Sequence, residues 1–430
     1  MTATTWIDER EDEARALDEG DAAGGARASF LLPRDDTTSG YDALAYLAGN
    51  SLGPQPTGAA DDVRRELEDW ATRVVEGHWS ARRPWGDYHV ALRAPMARVV
   101  GAHDDEVVVM NSLTVNLHLL LASFYRPTAD RYRIVIEDAA FPSDSYAVRS
   151  HAAFRGFDPD DAVVRLRPRD GERTLRTEDV VAHLETASDR TALLLLGGVN
   201  YLTGQLMDIP GITSAARDRG ITVGWDLAHA AGNVELALHD WGPDFAAWCT
   251  YKYLNGGPGS TAAAWVHERH LGDETLPRLS GWWGTDPSVR FEMLAKLTPI
   301  ASADAWAVSN PPILSMTPLV SALGVFEEVG MGAIRSRSVR LTAYLEQLLV
   351  GERGEGSLRL VTPSDPAARG CQLSVSVAGA LPEIAASLRT RHGVVCDVRP
   401  PDVVRLAPAP LFCTFHDCWR AARALRETVA

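Results

Sequence analysis

The chain has 430 residues, 46% of them apolar, enough to bury the cores of one large domain and a smaller one. Its 42 basic and 57 acidic residues give a formal net charge of −15, which disfavours nucleic acid and anionic membrane as general partners. Five cysteines (Cys249, Cys371, Cys396, Cys413, Cys418) are odd in number and form no CxxC pair, so neither a disulfide framework nor a zinc site is expected.

The first residues, MTATTWIDEREDEARALDEGD, are acidic and lack the apolar centre of a signal peptide. No apolar run approaches membrane-spanning length, and a reducing cytoplasm is the expected compartment. Residues 6–19 read as a short acidic helix, residues 21–28 as a Gly/Ala-rich stretch and residues 33–40 as a polar loop. Tyr46–Leu47 reads as a short strand before the turn-rich loop GNSLGPQP at 49–56. Val63, Leu67, Trp70 and Val74 fall at helical spacing and predict a helix over 61–76, capped by Asp61 or Asp62. A second helix is predicted over 89–100.

Strands and helices then alternate as in a doubly wound sheet. Strands are predicted at 107–110, 134–136, 193–196 and 221–226, and around Ala246 and Ala263; helices at 115–124 and 211–219. Beyond SNPPIL (309–314) the pattern is helical through 317–350, followed by a polar turn at 351–356. The remainder alternates strands (372–377, 394–398, 403–406) with helices (382–391, and from about Phe415 onward). The expected organisation is an N-terminal segment (1–45), an α/β large domain (46–312) with a mostly parallel, seven-stranded type of sheet flanked by helices, and a smaller α+β C-terminal domain (313–430) that takes in the N-terminal segment.

The stretch from Gly224 to Gly259 carries the chemistry. Asp226 closes one buried strand, and Lys252, flanked by Tyr251 and Tyr253, follows the next apolar run. In open α/β sheets ligands bind at the carboxyl ends of the strands. An Asp and a Lys delivered there suit pyridoxal phosphate, which takes a lysine for covalent attachment and a carboxylate facing its pyridinium nitrogen. Taken singly, the Asp is an ordinary helix cap and the Lys an ordinary solvated side chain. Asn111-Ser112-Leu113-Thr114 stands between strand and helix, where Thr114 can serve as an N-cap, as a phosphate ligand, or as both.

The wording DLAHAAGNVELALHDWGPDFAAWCTYKYLN (226–255) closely resembles kynureninase, a pyridoxal-phosphate enzyme family of fold type I, and the resemblance runs from about Tyr46 to the C-terminus. It implies that Lys252 carries the cofactor, that Asp226 holds its ring nitrogen and that Leu113 and Thr114 hold its phosphate. Phe141 and Asp144, in the intact FPSD motif, would stack on the ring and contact it; His229 would support the arrangement, although a satisfied core histidine fits the spacing nearly as well. Tyr251 would donate to the phosphate and shuttle protons. GWWG (281–284) and SNPP (309–312) imply that Trp282, Ser309 and Asn310 reach cofactor and substrate from a partner subunit. His78 would meet the substrate ring, and Arg405 would clamp the substrate α-carboxylate with a fork that lysine lacks.

Two positions depart from the family pattern: Gly197 where a Ser is expected, and Thr285 where a His often follows GW(W/F)G. The implied activity is hydrolytic Cβ–Cγ cleavage of L-kynurenine or its 3-hydroxy form, giving anthranilate or 3-hydroxyanthranilate and L-alanine, in tryptophan catabolism. The implied assembly is a homodimer with shared active sites. The two departures leave open a relative acting on a different β-acyl or β-substituted amino acid.

Overall fold

The computed structural model describes residues 3–37, 39–351 and 358–429. Seven apolar runs form one sheet: β1 (Val107–Val109), β2 (Arg133–Glu137), β3 (Val163–Leu166), β4 (Thr191–Gly197), β5 (Thr222–Asp226), β6 (Phe245–Trp248) and β7 (Ala263–Val266). Their order is β1-β7-β6-β5-β4-β2-β3; β7 runs antiparallel to both neighbours and the other pairings are parallel. The parallel pairs need crossovers, and helices supply them: α1 (Ala59–Arg73) precedes the sheet, and α2 (Leu113–Phe124), α3 (Pro142–Phe154), α4 (Thr177–Ala187) and α5 (Ile209–Arg217) run between strands.

Both faces of the sheet are covered, which is why its central strands read as largely apolar runs. The two-residue period still sorts them: Leu193 and Leu195 join the core under one face, Leu194 and Leu196 the core under the other.

Helices α6 (Pro318–Val329) and α7 (Met331–Val350) lead into a four-stranded antiparallel sheet of β8 (Arg359–Leu360), β9 (Leu373–Ser376), β10 (Asp397–Arg399) and β11 (Val403–Leu406), in the order β8-β9-β11-β10. Helices α8 (Leu381–His392) and α9 (Phe415–Val429) pack together beside it. The N-terminal residues join this half. Asp18 accepts from the Phe415 N–H at 2.7 Å, the Trp419 indole donates to the Ile7 carbonyl at 2.7 Å, and Ala45–Tyr46 pairs in parallel with Val394–Val395. Buried Asp21 accepts from Arg337 Nε at 2.6 Å.

Several expectations need correction. The single acidic helix over 6–19 is two helices, Ala3–Asp8 and Glu11–Glu19. The residues 89–100 begin as a tight 3-10 turn and become α-helical only from Arg93. The predicted helical run 317–350 breaks at Gly330, whose φ of +78° suits glycine, and the chain turns there by 81°. The strand over 394–398 is interrupted at Cys396. Strand β3 and helices α3 and α4 had no expected counterpart. The predicted polar turn at 351–356 lies, apart from Gly351, outside the described residues, as does residue 38 of the predicted 33–40 loop. Among the described residues no single helix is long and apolar enough to cross a membrane.

Candidate active site

The site is built at the carboxyl ends of β4, β5 and β6. Asp226, the last residue of β5, is paired in register with Gly197 of β4 and Ala247 of β6. Its Oδ1 accepts the Ala228 N–H at 2.7 Å, which fixes the carboxylate at the mouth of the sheet. Strand β6 ends at Trp248, so Lys252 does not close the strand as its sequence suggested; it stands four residues on, in a tight turn. Thr250 Oγ1 donates to the Thr261 carbonyl at 2.7 Å, the Gly256 N–H reaches the Thr250 carbonyl, and Asn255 adopts φ +55° to close the turn. From the other side the Gly53 N–H donates to the Tyr251 carbonyl at 2.8 Å. A Cβ at Gly53 would fall 2.5 Å from the Lys252 carbonyl oxygen, so only glycine brings the GNSLGPQP loop this close.

Lys252 Nζ lies 2.9 Å from His229 Nε2 and 5.9 Å from the centroids of both the Phe141 and Tyr251 rings. Burial, reinforced by the Lys252 charge, holds the His229 imidazole well below its usual range, so its Nε2 accepts from the lysine. Among the described residues no carboxylate comes within ion-pair distance of Lys252. It and Lys296 are the chain's two lysines, a scarcity that could have singled Lys252 out from the sequence.

Three acids face the lysine. Asp144 is buried against Asp226; desolvation and the Asp226 charge push it well above the carboxylate range, and its Oδ1 has no hydrogen-bond partner. Glu137, at the end of β2, accepts from Asn200 Nδ2 at 3.0 Å and from the Gly197 N–H, and burial pushes it up to about 7. A Cβ at position 197 would lie 2.9 Å from Glu137 Oε1, so a side chain there would push the Glu137 carboxyl aside. A buried carboxyl with one oxygen unpartnered, packed against Asp226, fits a ligand that brings its own positive charge, as a protonated pyridine does.

The opposite wall suits an anion. Helix α2 begins at Leu113, with Ser112 in the N-cap position and no side chain capping it. Thr114 therefore sits inside the first turn and is not the cap; its hydroxyl meets Ser143 Oγ at 2.6 Å, at the start of α3. Two helix N-termini and two hydroxyls converge there, with first-turn N–H groups left over. Phe141, 43% exposed, forms the lip and meets Tyr201 edge-on at 5.2 Å. Ser112, Leu113, Thr114, Glu137, Phe141, Ser143, Asp144, Asp226, His229, Tyr251 and Lys252 all line this one cleft.

Arg405 is 1% exposed on β11 and reaches the cleft's margin: Nη1 donates to the Tyr201 carbonyl at 2.7 Å, while Nη2 donates to Ser51 Oγ at 3.2 Å and pairs with Asp397. Nε has no partner. Ser51, Glu137, Asn200, Tyr201 and Asp397 were not singled out from the sequence. Reading 394–398 and 403–406 as a hairpin would have set Asp397 opposite Arg405.

Four expected residues do not line the cleft within one chain. His78 Nδ1 contacts the Val75 carbonyl at 3.0 Å and its ring abuts Trp85. Trp282 is 47% exposed and donates to the Arg290 carbonyl, and Ser309 and Asn310 are exposed. The GWWG loop presses on 305–308: a Cβ at Gly281 would lie 2.0 Å from the Val308 carbonyl oxygen, and one at Gly284 2.8 Å from that of Ala305. The Thr285 hydroxyl donates to the Thr298 carbonyl at 3.1 Å and so serves its own loop. The Phe291 ring touches both Trp79 (6.4 Å) and Trp282 (5.5 Å), joining the surface around His78 to GWWG in one exposed apolar patch.

A family model described as the kynureninase C-terminal domain matches residues 334–425. A kynureninase of Salinispora tropica is 60% identical over 422 residues, covering 98% of each chain, and one of Myxococcus xanthus is 48% identical over 427 residues, covering 99% of each. Among solved structures, the cysteine desulfurase CsdA of Escherichia coli superposes with a TM-score of 0.75 at 19% identity, over 94% of this chain and 98% of that one. The cystine C–S lyase C-DES, in complex with cysteine persulfide, gives 0.73 at 18% identity, over 89% and 97%. At these identities the two structures speak for the fold alone.

Proposed function

The chain belongs to the kynureninase family, and from that premise we propose that it binds pyridoxal 5′-phosphate and hydrolyses the Cβ–Cγ bond of L-kynurenine, 3-hydroxy-L-kynurenine or both, releasing anthranilate or 3-hydroxyanthranilate and L-alanine. The observation that carries this reading is the Lys252–His229 contact in a cleft that also holds Asp226 and the unpartnered Asp144.

Bound there, the cofactor would supply a sink for the electron pair left on Cα when its proton departs and for the electrons of the breaking bond. Lys252 would hold it covalently, and its amine, once free, would take the Cα proton at Nζ. The neutral His229 accepts from that amine and keeps it aimed into the cleft. Asp226 would hold the proton on the ring nitrogen, while Asp144, pushed up by burial and the Asp226 charge, would contact the ring beside it. Phe141 covers the ring face, and the first turn of α2 with Leu113, Thr114 and Ser143 receives the phosphate.

Burial pushes the Tyr251 phenol up, so it stays protonated at neutral pH and has a proton to deliver to Cβ after cleavage, while a water molecule adds to Cγ and leaves as the carboxyl of the aromatic acid. Arg405 receives the α-carboxylate. His78, Ser309 and Asn310 read the aromatic end, and Trp282 completes the phosphate wall, all from the partner of a homodimer. An exposed apolar patch running from Trp70, Val74, Val75 and Trp79 through Trp282 to Phe291, Met293 and Leu294 supports that assembly, since surfaces of this kind mark interfaces. The proposed compartment is the cytoplasm.

The test is to incubate the purified, cofactor-loaded protein with each substrate and measure alanine and the aromatic acid. Equimolar release from either substrate supports the reading. Cofactor binding without release from either one rejects it.

A further inference from the structure

A second cluster of ligand-type side chains lies on the other side of the sheet. Lys252 follows the end of β6, whereas this cluster surrounds its start, where Phe245 pairs with Val266. His103 precedes β1, His239 lies in the short helix Leu238–Trp241, and Glu268 follows β7. The three belong to segments separated by more than a hundred residues or by a whole strand.

Each of the three offers a ligand atom within 4.8 Å of the other two. His103 Nδ1 is 3.7 Å from Glu268 Oε2, and the His103 and His239 rings stack at 3.7 Å. Beneath them sits Glu106, fully buried. It accepts from the His103 N–H, the Glu268 N–H and the Trp265 indole, and its Oε1 stands 3.1 Å from His239 Nδ1. That last contact places a proton on Nδ1 and leaves Nε2 as the free lone pair. A carboxylate holding the far nitrogen of an imidazole is the usual outer support of a metal-binding histidine.

We propose that His103, His239 and Glu268 form a zinc site of two imidazoles and a carboxylate, with Glu106 orienting His239. The donor set is the nitrogen–oxygen mixture that Zn2+ accepts, with water in the fourth position. Ligand atoms around tetrahedral zinc stand roughly 3.3 Å apart, given metal–ligand bonds of about 2.0–2.1 Å, so the cluster must contract. The exposed side chains of His103 and Glu268 supply that movement: His103 turns out of its stack while His239 stays fixed. Neither cluster of metal-type ligands among the described residues includes a cysteine, so this one is a nitrogen–oxygen set without thiolate. The bound ion clamps the approach to β1, the exit of β7 and the approach to β6 from outside the sheet.

The experiment uses the cofactor-loaded protein, freed of metal with a chelator and titrated with zinc chloride at pH 8 by calorimetry and by thermal melting. The expected result is one zinc per chain and a raised melting temperature. In the double variant His103→Ala/Glu268→Gln affinity should fall at least about tenfold, since even outer-shell changes cost about 10–100-fold, and the melting shift should vanish. Both replaced side chains are exposed, so the variant keeps the fold, and activity without zinc should equal that of the parent. A second double variant, His118→Ala/His151→Ala, removes the other close imidazole pair (3.1 Å) and should leave both readouts unchanged. No stoichiometric uptake by the parent, or equal uptake by the first double variant, overturns the proposal.

Discussion

Arg405 stands directly opposite Asp397 across the β10–β11 pair, and the two side chains form an ion pair. A substrate carboxylate therefore meets a guanidinium already oriented by Asp397, Ser51 and the Tyr201 carbonyl, with Nε still free. Arg405→Lys keeps the charge and loses the fork. Its KM for kynurenine should rise about 10- to 100-fold, as loss of a charge-assisted hydrogen bond predicts, with the bound cofactor's absorption unchanged. An unaltered KM and kcat would place the carboxylate elsewhere.

Lys252 is expected to be the covalent attachment point. Borohydride reduction followed by peptide mapping should label the peptide holding Lys252 and spare Lys296. Lys252→Ala should give no reduced adduct. Label on Lys296 in the parent protein would end the assignment.

Asp226→Asn should still bind cofactor, because the phosphate wall and Phe141 are untouched. An amide holds no ring proton electrostatically, so kcat should drop by at least about a hundredfold, the scale on which positioned protons matter. Turnover near that of the parent would remove Asp226 from the reaction.

Glu137 makes stability fall with rising pH. Burial raises its folded-state value to about 7 from a usual 4.5, so between these limits the folded chain keeps a proton that the unfolded chain has lost. The stability tied to that proton is fully present below about pH 4.5 and gone above about pH 7; on the order of 3 kcal/mol is involved. Glu137→Gln should flatten the fall in melting temperature between pH 5 and 7.5 in the cofactor-free protein. Asp144 is raised in the same direction, mainly by burial and the Asp226 charge and partly by Glu137, so the variant trims its share too and flattens the curve further. Parallel melting curves for parent and variant would show that Glu137 ionises normally.

The shared-site dimer is open to a mixing test. Lys252→Ala and Asn310→Ala chains should each be nearly inactive alone. If Asn310 serves the partner's Lys252, each mixed dimer has one site carrying both lesions and one site intact. Random exchange between the two-fold partners should then restore about a quarter of the parent activity. No recovery after verified exchange would put both residues in one chain's site.

Asp226 and Lys252 were legible because one ends an apolar strand and the other stands shortly after one, where polarity changes abruptly and a sheet presents its ligands. Glu137 follows a strand too, but an acid there reads equally well as a terminator. Its raised pKa comes from the depth of the site, which outweighs the opposing hydrogen bonds from Asn200 and Gly197, and none of this is local in sequence. Ser51 and Asp397 meet across 346 positions, so their part at Arg405 arises only from folding. Strand β3 escaped notice because it is an edge strand, short and interrupted by Arg165, which an edge tolerates. Trp282, Ser309, Asn310 and His78 were reachable through resemblance alone, since within one chain they lie away from the lysine.

The N-terminal residues complete their pairing at the far end of the chain: Ala45–Tyr46 with Val394–Val395, and Asp18 with the first turn of α9. During synthesis this segment leaves the ribosome hundreds of residues before its partners, an interval on the order of tens of seconds at about 5–20 residues per second. Leu44, Ala45 and Leu47, buried in the finished protein, stay uncovered throughout. Nascent chains halted before residue 394 should therefore be cut by protease within the first fifty residues, while full-length chains resist there. The segment is made hundreds of residues before the partners that secure it, so the yield of folded protein should follow the supply of chaperones that shield early-emerging apolar chain.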